Sequence, residues 1–201
     1  MRQSNVYVIV FSAILTIILG GLLAFSAIGL KPIQDEQVAL DTQKKILGAV
    51  IQLQEGDDVP AIYQEKIESL VVNAKGEEIK EIDGAPVVAE AINVGKQFKL
   101  PPEDRLFPVY KFKGGDEGQV DAFILPVYGN GLWNNIFGYV ALENDLATIK
   151  GVVFDHVGET PGLGARITDI EVQERFRGKK IYDDLGELVA VRMVKGETGN
   201  P

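Results

Sequence analysis

The chain begins with a long apolar segment. Residues 3–30 carry no charge, and residues 6–30 are nearly all apolar. As a helix this segment is roughly 37 Å long, which exceeds the hydrocarbon core of a membrane, about 30 Å thick. We therefore expect residues 1–30 to be a retained transmembrane anchor, embedded in the lipid bilayer through residues 6–30. A cleaved signal peptide is the alternative, because small residues at 24–27 offer a cleavage site.

A more polar helix pattern follows the anchor. Apolar residues recur at helical spacing between residues 38 and 50, and the pattern weakens at Gly48. Residues 55–68 are polar and predict a connector that enters a short helix. Residues 69–79 predict a strand, a turn at the sequence NAKG and a returning strand.

Short runs of β-branched and aromatic residues dominate the second half of the chain. Bounded by glycine, asparagine or proline, they predict strands at residues 106–112, 120–128, 137–143, 149–154 and 187–194. A helix is predicted between the last two runs, with Thr168 and Glu171 at the spacing of a capping box. Residues 76–105 show no clear pattern. The predicted fold class is α+β: an N-terminal transmembrane helix, then one mainly antiparallel sheet domain with flanking helices over residues 31–201.

Composition and charge exclude several classes of protein. The 201 residues are 46% hydrophobic and 24% charged, so residues 31–201 are ordinary globular material that can bury a core. Of the 20 basic residues only Arg2 precedes Lys31, whereas all 29 acidic residues follow it, so the domain is strongly acidic. Because there is also no basic run, we expect no nucleic-acid partner.

Cysteine and histidine are too scarce for most metal and redox sites. The chain has no cysteine and one histidine, which excludes a disulfide framework, a cysteine-held iron–sulfur cluster and a structural zinc site. Any redox chemistry must therefore come from an organic cofactor. The single histidine, His156, is either a proton shuttle or, as is commoner at a strand end, a simple hydrogen-bonding residue. No nucleophile stands in an elbow motif, so we assign no catalytic residue and no metal ligand.

The sequence DHVGETPGLGA, residues 155–165, lies between a predicted strand and the predicted helix. Pro161 disfavours the helical conformation of the residue before it, and Gly162 and Gly164 permit positive φ. Such a loop can direct several backbone N–H groups at one ligand, while Glu159 and Thr160 supply an acceptor and a donor. The alternative is a strand-to-helix turn whose glycines only allow tight packing.

A second glycine-rich stretch, YGNGLWNN at residues 128–135, contains the only tryptophan of the chain. Leu132 and Trp133 stand where a loop between strands is predicted. A large aromatic side chain in such a loop either lines a pocket and stacks on a planar ligand, or closes the end of the core. Together with Leu163 in the other loop, these residues could cover both sides of one flat ring.

Residues 128–167 closely resemble the C subunit of the Na⁺-translocating NADH:quinone oxidoreductases, and less closely the G subunit of the Rnf electron-transport complexes. The resemblance is carried by GLW at residues 131–133 and GETPGLGA at residues 158–165, together with their spacing. The apolar anchor and the sequences QKKILGAV and FPVYK occur in the expected order, so the resemblance covers most of the chain.

This resemblance implies a single-pass subunit of the inner (cytoplasmic) membrane whose periplasmic C-terminal domain binds FMN. The flavin would relay electrons within a multi-subunit translocase that oxidises NADH, reduces a quinone such as ubiquinone and exports Na⁺. No catalysis outside the complex is expected. The resemblance places these residues around the isoalloxazine ring: Leu132, Trp133, Glu159, Thr160, Gly162, Leu163 and Gly164.

One departure concerns the covalent flavin link. In the resembling family the flavin phosphate is attached to a threonine of an S-G-A-T motif near the C-terminus, and that motif is absent here. Thr198 lies in the sequence GETG and is not assigned. Either the domain lacks its C-terminal end or the chain carries no covalent flavin. We expect the former, because nothing after the last predicted strand completes a domain. Two alternatives remain: a membrane-anchored structural or assembly domain without flavin, and the equivalent subunit of an Rnf-type complex.

Overall fold

The computed structural model describes residues 5–82, 84–114, 118–183 and 185–189. Within these residues the helices are α1 (Asn5–Gly48), α2 (Val59–Lys66), α3 (Val94–Gln97) and α4 (Ile170–Glu174). The strands are β1 (Ile67–Val72), β2 (Glu81–Ile82), β3 (Ala85–Pro86), β4 (Phe107–Lys113), β5 (Val120–Asn130), β6 (Asn135–Glu143) and β7 (Ile149–His156). Short 3-10 helices at Ala89–Ala91, Pro102–Asp104 and Gly164–Thr168 complete the described elements.

Helix α1 contains the apolar N-terminal segment. In the part of the chain that the structure describes, it is the one helix long and apolar enough to cross a membrane. Its apolar side chains are exposed, as with Leu23 at 72%, and lipid contact would account for this exposure. The helix thus fits a single-pass membrane protein. It ends at Gly48, where the sequence pattern weakens. By internal contacts the chain divides into two units, residues 1–42 and 43–201.

The unit of residues 43–201 is built on one antiparallel sheet. Its five strands are ordered β1-β4-β5-β6-β7, and β2 and β3 form a separate hairpin. The α+β fold with a mainly antiparallel sheet is confirmed, and four of the predicted runs correspond to β4 to β7. The return strand predicted near residue 79 is reduced to a single bridge between Val72 and Glu78. Of the run at 187–194, Leu188 bridges Tyr182, and residues 190–194 lie outside the described residues.

One face of the sheet carries the most deeply buried residues. Cross-strand register places four of them in a row: Tyr110, Ile124, Ala141 and Gly151. Ile46 and Leu47, from the last turn of α1, are fully buried. A Cβ atom at Gly151 would overlap the carbonyl oxygen of Ala49, so the chain that follows α1 lies directly against this face. A side chain at Gly151 would force the two segments apart.

The opposite face is covered at β6 and β7 by α4 and the residues after it. Phe154 packs edge-on against Phe176 with ring centroids 5.2 Å apart, and Ile181 packs against the same cluster. The Gln173 side-chain amide donates to the carbonyl of Phe154 at 3.2 Å. These contacts place α4 beside the end of β7 from which the loop at residues 157–164 leaves.

The predicted capping box at the start of α4 is wrong. The cap position is Asp169, one residue later than predicted, and it makes no side-chain capping hydrogen bond. The Thr168 hydroxyl instead donates to the Ala165 carbonyl at 3.0 Å, and Arg166 pairs with the Asp169 carboxylate at 3.2 Å. The reason is the preceding 3-10 helix, which occupies Thr168 and shifts the start of α4 to Ile170.

Candidate functional site

Two glycine-rich loops leave the same end of the sheet. Residues 131–134 connect β5 to β6, and residues 157–164 follow β7. The loops are adjacent because Ile136, near the start of β6, pairs with His156 at the end of β7. The Val157 amide extends this pairing by donating to the Asn135 carbonyl at 3.0 Å. We call these segments the Trp133 loop (131–134) and the Glu159 loop (157–164).

A carboxylate connects the two loops. Glu159 is only 6% exposed, and its Oε1 accepts hydrogen bonds from the backbone amides of Trp133 at 2.9 Å and Asn134 at 3.1 Å. The amides of Asn134 and Trp133 lower the pKa of Glu159 below its usual value and outweigh the opposing effect of burial. Glu159 is therefore ionised at neutral pH, and its charge lies between the loops.

Both loops have a glycine against this carboxylate. A Cβ atom at Gly131 would overlap Oε1 of Glu159, and a Cβ atom at Gly164 would overlap Oε2. Oε2 is buried and has no hydrogen-bond partner among the described residues. The glycines at these two positions are thus required by close approach, since any side chain would displace the carboxylate.

The apolar residues at the tips of the loops are exposed. Leu132 is 79% exposed, Trp133 73% and Leu163 68%. Trp133 therefore does not close the end of the core, which was one of the two interpretations of its sequence position. Single exposed apolar residues are ordinary, but three on two adjacent and connected loops form a surface suited to an apolar ligand.

The Glu159 loop also presents unused backbone donors. The amides of Leu163 and Ala165 both donate to the Thr160 carbonyl, at 3.1 and 3.2 Å, which folds the loop back on itself. Gly162, in the middle of this turn, has a φ of +75° that favours glycine. Within the described part of the chain the amides of Thr160, Gly162 and Gly164 have no acceptor, so they remain available to a ligand.

His156 is a hydrogen-bonding residue of the loop. Its Nδ1 accepts from the Glu159 amide at 3.2 Å and so helps to set the direction in which the Glu159 loop leaves β7. From the sequence, His156 was either a proton shuttle or a simple hydrogen-bonding residue, and this hydrogen bond corresponds to the second role. The side chain of the neighbouring Asp155 contacts the last turn of α1.

Lys45, in the last turn of α1, was not found from the sequence. Its ammonium group pairs with Oδ2 of Asp155 at 2.5 Å, and both side chains are largely buried. Partial burial raises the pKa of Asp155, but the hydrogen bonds from Lys45 and the His156 amide and the Lys45 charge together lower it below its usual value. The two residues are 110 positions apart, so no local pattern could have predicted the pair.

The residues that the sequence predicts around a ligand all lie on the two loops. Leu132 and Trp133 belong to the Trp133 loop. The Glu159 loop contains the others: Glu159, Thr160, Gly162, Leu163 and Gly164. Their exposure differs, because Glu159 is buried and Gly164 half-buried whereas the rest face solvent.

The chain is similar to a set of known proteins. Residues 131–199, which include both loops, match the FMN-binding domain family. The C subunit of the Na⁺-translocating NADH-quinone reductase of Neisseria meningitidis serogroup A is 37% identical over 205 residues, covering 95% of this chain and 76% of that protein. The corresponding protein of Haemophilus ducreyi is 34% identical, with 93% and 76% covered.

A solved structure is also similar. The crystal structure of the C subunit of the Na⁺-translocating NADH-quinone reductase of Parabacteroides distasonis matches with a TM-score of 0.70 and 30% sequence identity. The match covers 85% of this chain and 79% of that one. The similarity in sequence thus extends to the fold.

Proposed function

The chain belongs to the C-subunit family of the Na⁺-translocating NADH-quinone reductases, and we propose that its domain relays electrons through FMN within such a complex. FMN is the cofactor, since residues 131–199 match the FMN-binding domain. Its partners are the other subunits of the complex. The relay role and the coupling of electron flow to Na⁺ export are the parts of this assignment that we propose.

One observation supports a flavin site at the two loops: they are connected to each other and yet expose apolar side chains and unpaired amides. The isoalloxazine ring of FMN is flat, with two apolar faces and an edge of carbonyl oxygens. Leu132, Trp133 and Leu163 offer apolar contact for such faces. The amides of Thr160, Gly162 and Gly164 are donors of the kind that its carbonyl oxygens require. The residues present therefore fit the cofactor.

In this proposal each loop has its own task. The side chains of the Trp133 loop and Leu163 bind the ring and exclude water from it. The Glu159 loop orients the ring by donating backbone N–H groups to its carbonyl edge, with the Thr160 hydroxyl as a further donor. FMN supplies the reversible electron-transfer chemistry, and the protein adjusts the reduction potential through these contacts. We assign no acid–base catalyst, and the domain has no activity outside the complex.

We further propose that the domain, residues 31–201, lies on the periplasmic side of the inner membrane, anchored through residues 6–30. The chain has no cysteine, so a single introduced cysteine is a unique label. Val88→Cys should react with a membrane-impermeant maleimide in intact spheroplasts, since Val88 is 52% exposed. Ser4→Cys, before the anchor, should react only after the membrane is permeabilised. The reverse pattern would contradict the orientation.

The flavin site is tested by substitutions at the loop tips of the full-length protein. Leu163→Asp and Trp133→Ala should each change the midpoint potential of bound FMN or weaken its retention, measured by spectroelectrochemical titration and by the flavin-to-protein absorbance ratio. Val88→Ala, exposed and remote from both loops in sequence, is the control and should match the unmodified protein. An unchanged potential and flavin content in both loop variants would rule out contact between these loop tips and the flavin. A colourless unmodified protein would instead support a structural or assembly role.

A further inference from the structure

Glu159 is an unusual residue for this domain. Among the described residues it is the one charged side chain that is buried. No Lys or Arg in the described part of the chain forms an ion pair with it, and the hydrogen bonds that its carboxylate accepts there come from backbone amides. A buried and unpaired carboxylate opposes folding unless hydrogen bonds compensate for its lost hydration. Here Oε2 has no such bond within the described residues, so the compensation is incomplete.

The surroundings of this carboxylate involve both loops. Oε1 accepts the amides of Trp133 and Asn134 from the Trp133 loop. Oε2 lies against Gly164 at the far end of the Glu159 loop, at a distance that excludes a Cβ atom. Gly131 makes a similarly close approach to Oε1. The Glu159 carboxylate is therefore enclosed by residues of both loops of the proposed flavin site.

We infer that Glu159 is a positioning residue, whose buried carboxylate holds the two loops at the spacing that accepts FMN and keeps a fixed negative charge beside the ring. This inference rests on the proposed flavin site. It differs from a direct contact, because both carboxylate oxygens are already enclosed by the protein. The exposed groups of the loops bind the cofactor, and Glu159 determines where those groups stand.

The direction in which the Glu159 charge shifts the midpoint potential of FMN follows from electrostatics. Reduction adds an electron to FMN, and a nearby fixed negative charge disfavours that addition, so Glu159 lowers the midpoint potential of the cofactor. Glu159→Gln keeps the size of the side chain and an oxygen that accepts the same two amides, but removes the charge. The midpoint potential of this variant should be higher than that of the unmodified protein. In the 201-residue chain, which has no S-G-A-T motif for a covalent link, Glu159→Ala removes the connection as well and should lose FMN at least about tenfold faster in dialysis or dilution.

Two pairs of glycine substitutions test the positioning role with matched controls. Gly164→Ala places a Cβ atom on Oε2, whereas at Gly158, in the same loop, a Cβ atom would meet only ordinary contacts at 3.6 Å or more. Gly131→Ala places a Cβ atom on Oε1 and against the carbonyl oxygen of Asn134, whereas a Cβ atom at Gly129 would meet nothing within 4 Å. Alanine at 164 or 131 should weaken FMN retention and shift its potential. Alanine at 158 or 129 should change neither.

The measurements are the FMN midpoint potential, the rate of FMN loss and the thermal unfolding temperature, all on the flavin-loaded 201-residue chain. A structural role alone would lower the unfolding temperature of Glu159→Gln without moving its potential, and that result overturns the inference. Equal behaviour of Gly164→Ala and Gly158→Ala also overturns it. If the unmodified protein bound no FMN, the proposed function would fail instead. If Leu163→Asp and Trp133→Ala left FMN unaffected while Glu159→Gln shifted its potential, only the assignment of the loop tips would fail.

Discussion

The buried sheet face and the loop end of the same sheet use apolar residues in opposite ways. On the face that lies against the end of α1, Ile46, Leu47 and Ile124 are fully buried. At the loop end, Trp133 and Leu163 are 73% and 68% exposed. Burial of apolar side chains stabilises the fold, whereas exposed apolar side chains on connected loops contribute little to stability and offer a binding surface. Stability therefore depends mainly on the buried face, whereas the proposed cofactor binding depends on the loop end, so substitutions should separate the two.

The largest effect is expected on the buried face. Ile124→Ala should lower the free energy of unfolding by about 2–5 kcal/mol, because it leaves a cavity at a fully buried position in a central strand. Ile124→Val removes one methylene and should cost about 0.5–1.5 kcal/mol. Chemical denaturation of the detergent-solubilised protein measures both. A loss below about 1 kcal/mol for the alanine variant would contradict the assignment of this face as the core.

The next effect concerns the link between the last turn of α1 and β7. Lys45→Met leaves the largely buried Asp155 carboxylate without its cation and should cost about 1–2 kcal/mol. Lys150→Met is the matched control, since Lys150 pairs with Asp121 at the same 2.5 Å but Asp121 is more exposed. The control variant should lose less stability than Lys45→Met. Thermal unfolding at neutral pH compares the two, and a larger loss in the control would refute the ranking.

The same pair predicts a pH dependence with a defined sign. The folded protein holds the pKa of Asp155 below its usual value, about 3.9 in an unfolded chain. Its stabilisation is therefore complete above that unfolded value and is lost as the pH falls through the lower folded pKa. Asp155→Asn should be less stable than the unmodified protein at neutral pH, and the difference should shrink as the pH falls through the folded-state pKa of Asp155. Unfolding temperatures measured across this range test the prediction.

Substitutions at the loop end should alter the properties of bound FMN and leave the free energy of unfolding nearly unchanged. Trp133→Ala should change the free energy of unfolding of the apoprotein by less than about 0.5 kcal/mol, because the side chain is mostly exposed. Yet the same variant should alter FMN potential or retention. Denaturation of the apoprotein and flavin titration of the loaded protein separate the two properties. A loss of more than about 1 kcal/mol in the apoprotein would mean that Trp133 belongs to the core.

The smallest effect is expected at the start of α4. Glu171→Ala should leave stability unchanged within about 0.5 kcal/mol, because Glu171 is exposed and takes no part in a capping box, and the cap position is Asp169. A working capping box would cost about 1 kcal/mol on the same change. The thermal unfolding temperature of the variant distinguishes these two expected losses of stability.

Local patterns predicted the elements of this protein well. The apolar run at 6–30, the weakening at Gly48 and the β-branched runs from residue 106 each reflect preferences that act over a few residues. The prediction of a capping box failed because two neighbouring helical segments compete for the same residue. Thr168 and Glu171 have the spacing of a capping box, but a 3-10 helix that begins at Gly164 occupies Thr168. The elements described within residues 76–105 are short, and short elements leave no periodic signal.

The candidate site was predictable in part. Residue types and spacing singled out the two glycine-rich loops, and the family resemblance named the residues on them. The buried state of Glu159 could not be predicted, because it depends on amides 25 and 26 residues away in the sequence. Lys45 was missed for the same reason, since its partner is 110 residues distant.

The apolar anchor, the order of the strands along the chain, the acidic charge of the domain and the presence of two glycine-rich loops could all be predicted from the sequence. That these loops meet is a property of the folded chain. The pairing of Ile136 with His156 brings their ends together, and the Glu159 carboxylate then joins them. The physical reason is that propensity and patterning act locally, whereas strand register and buried hydrogen bonds connect residues that are distant in the chain.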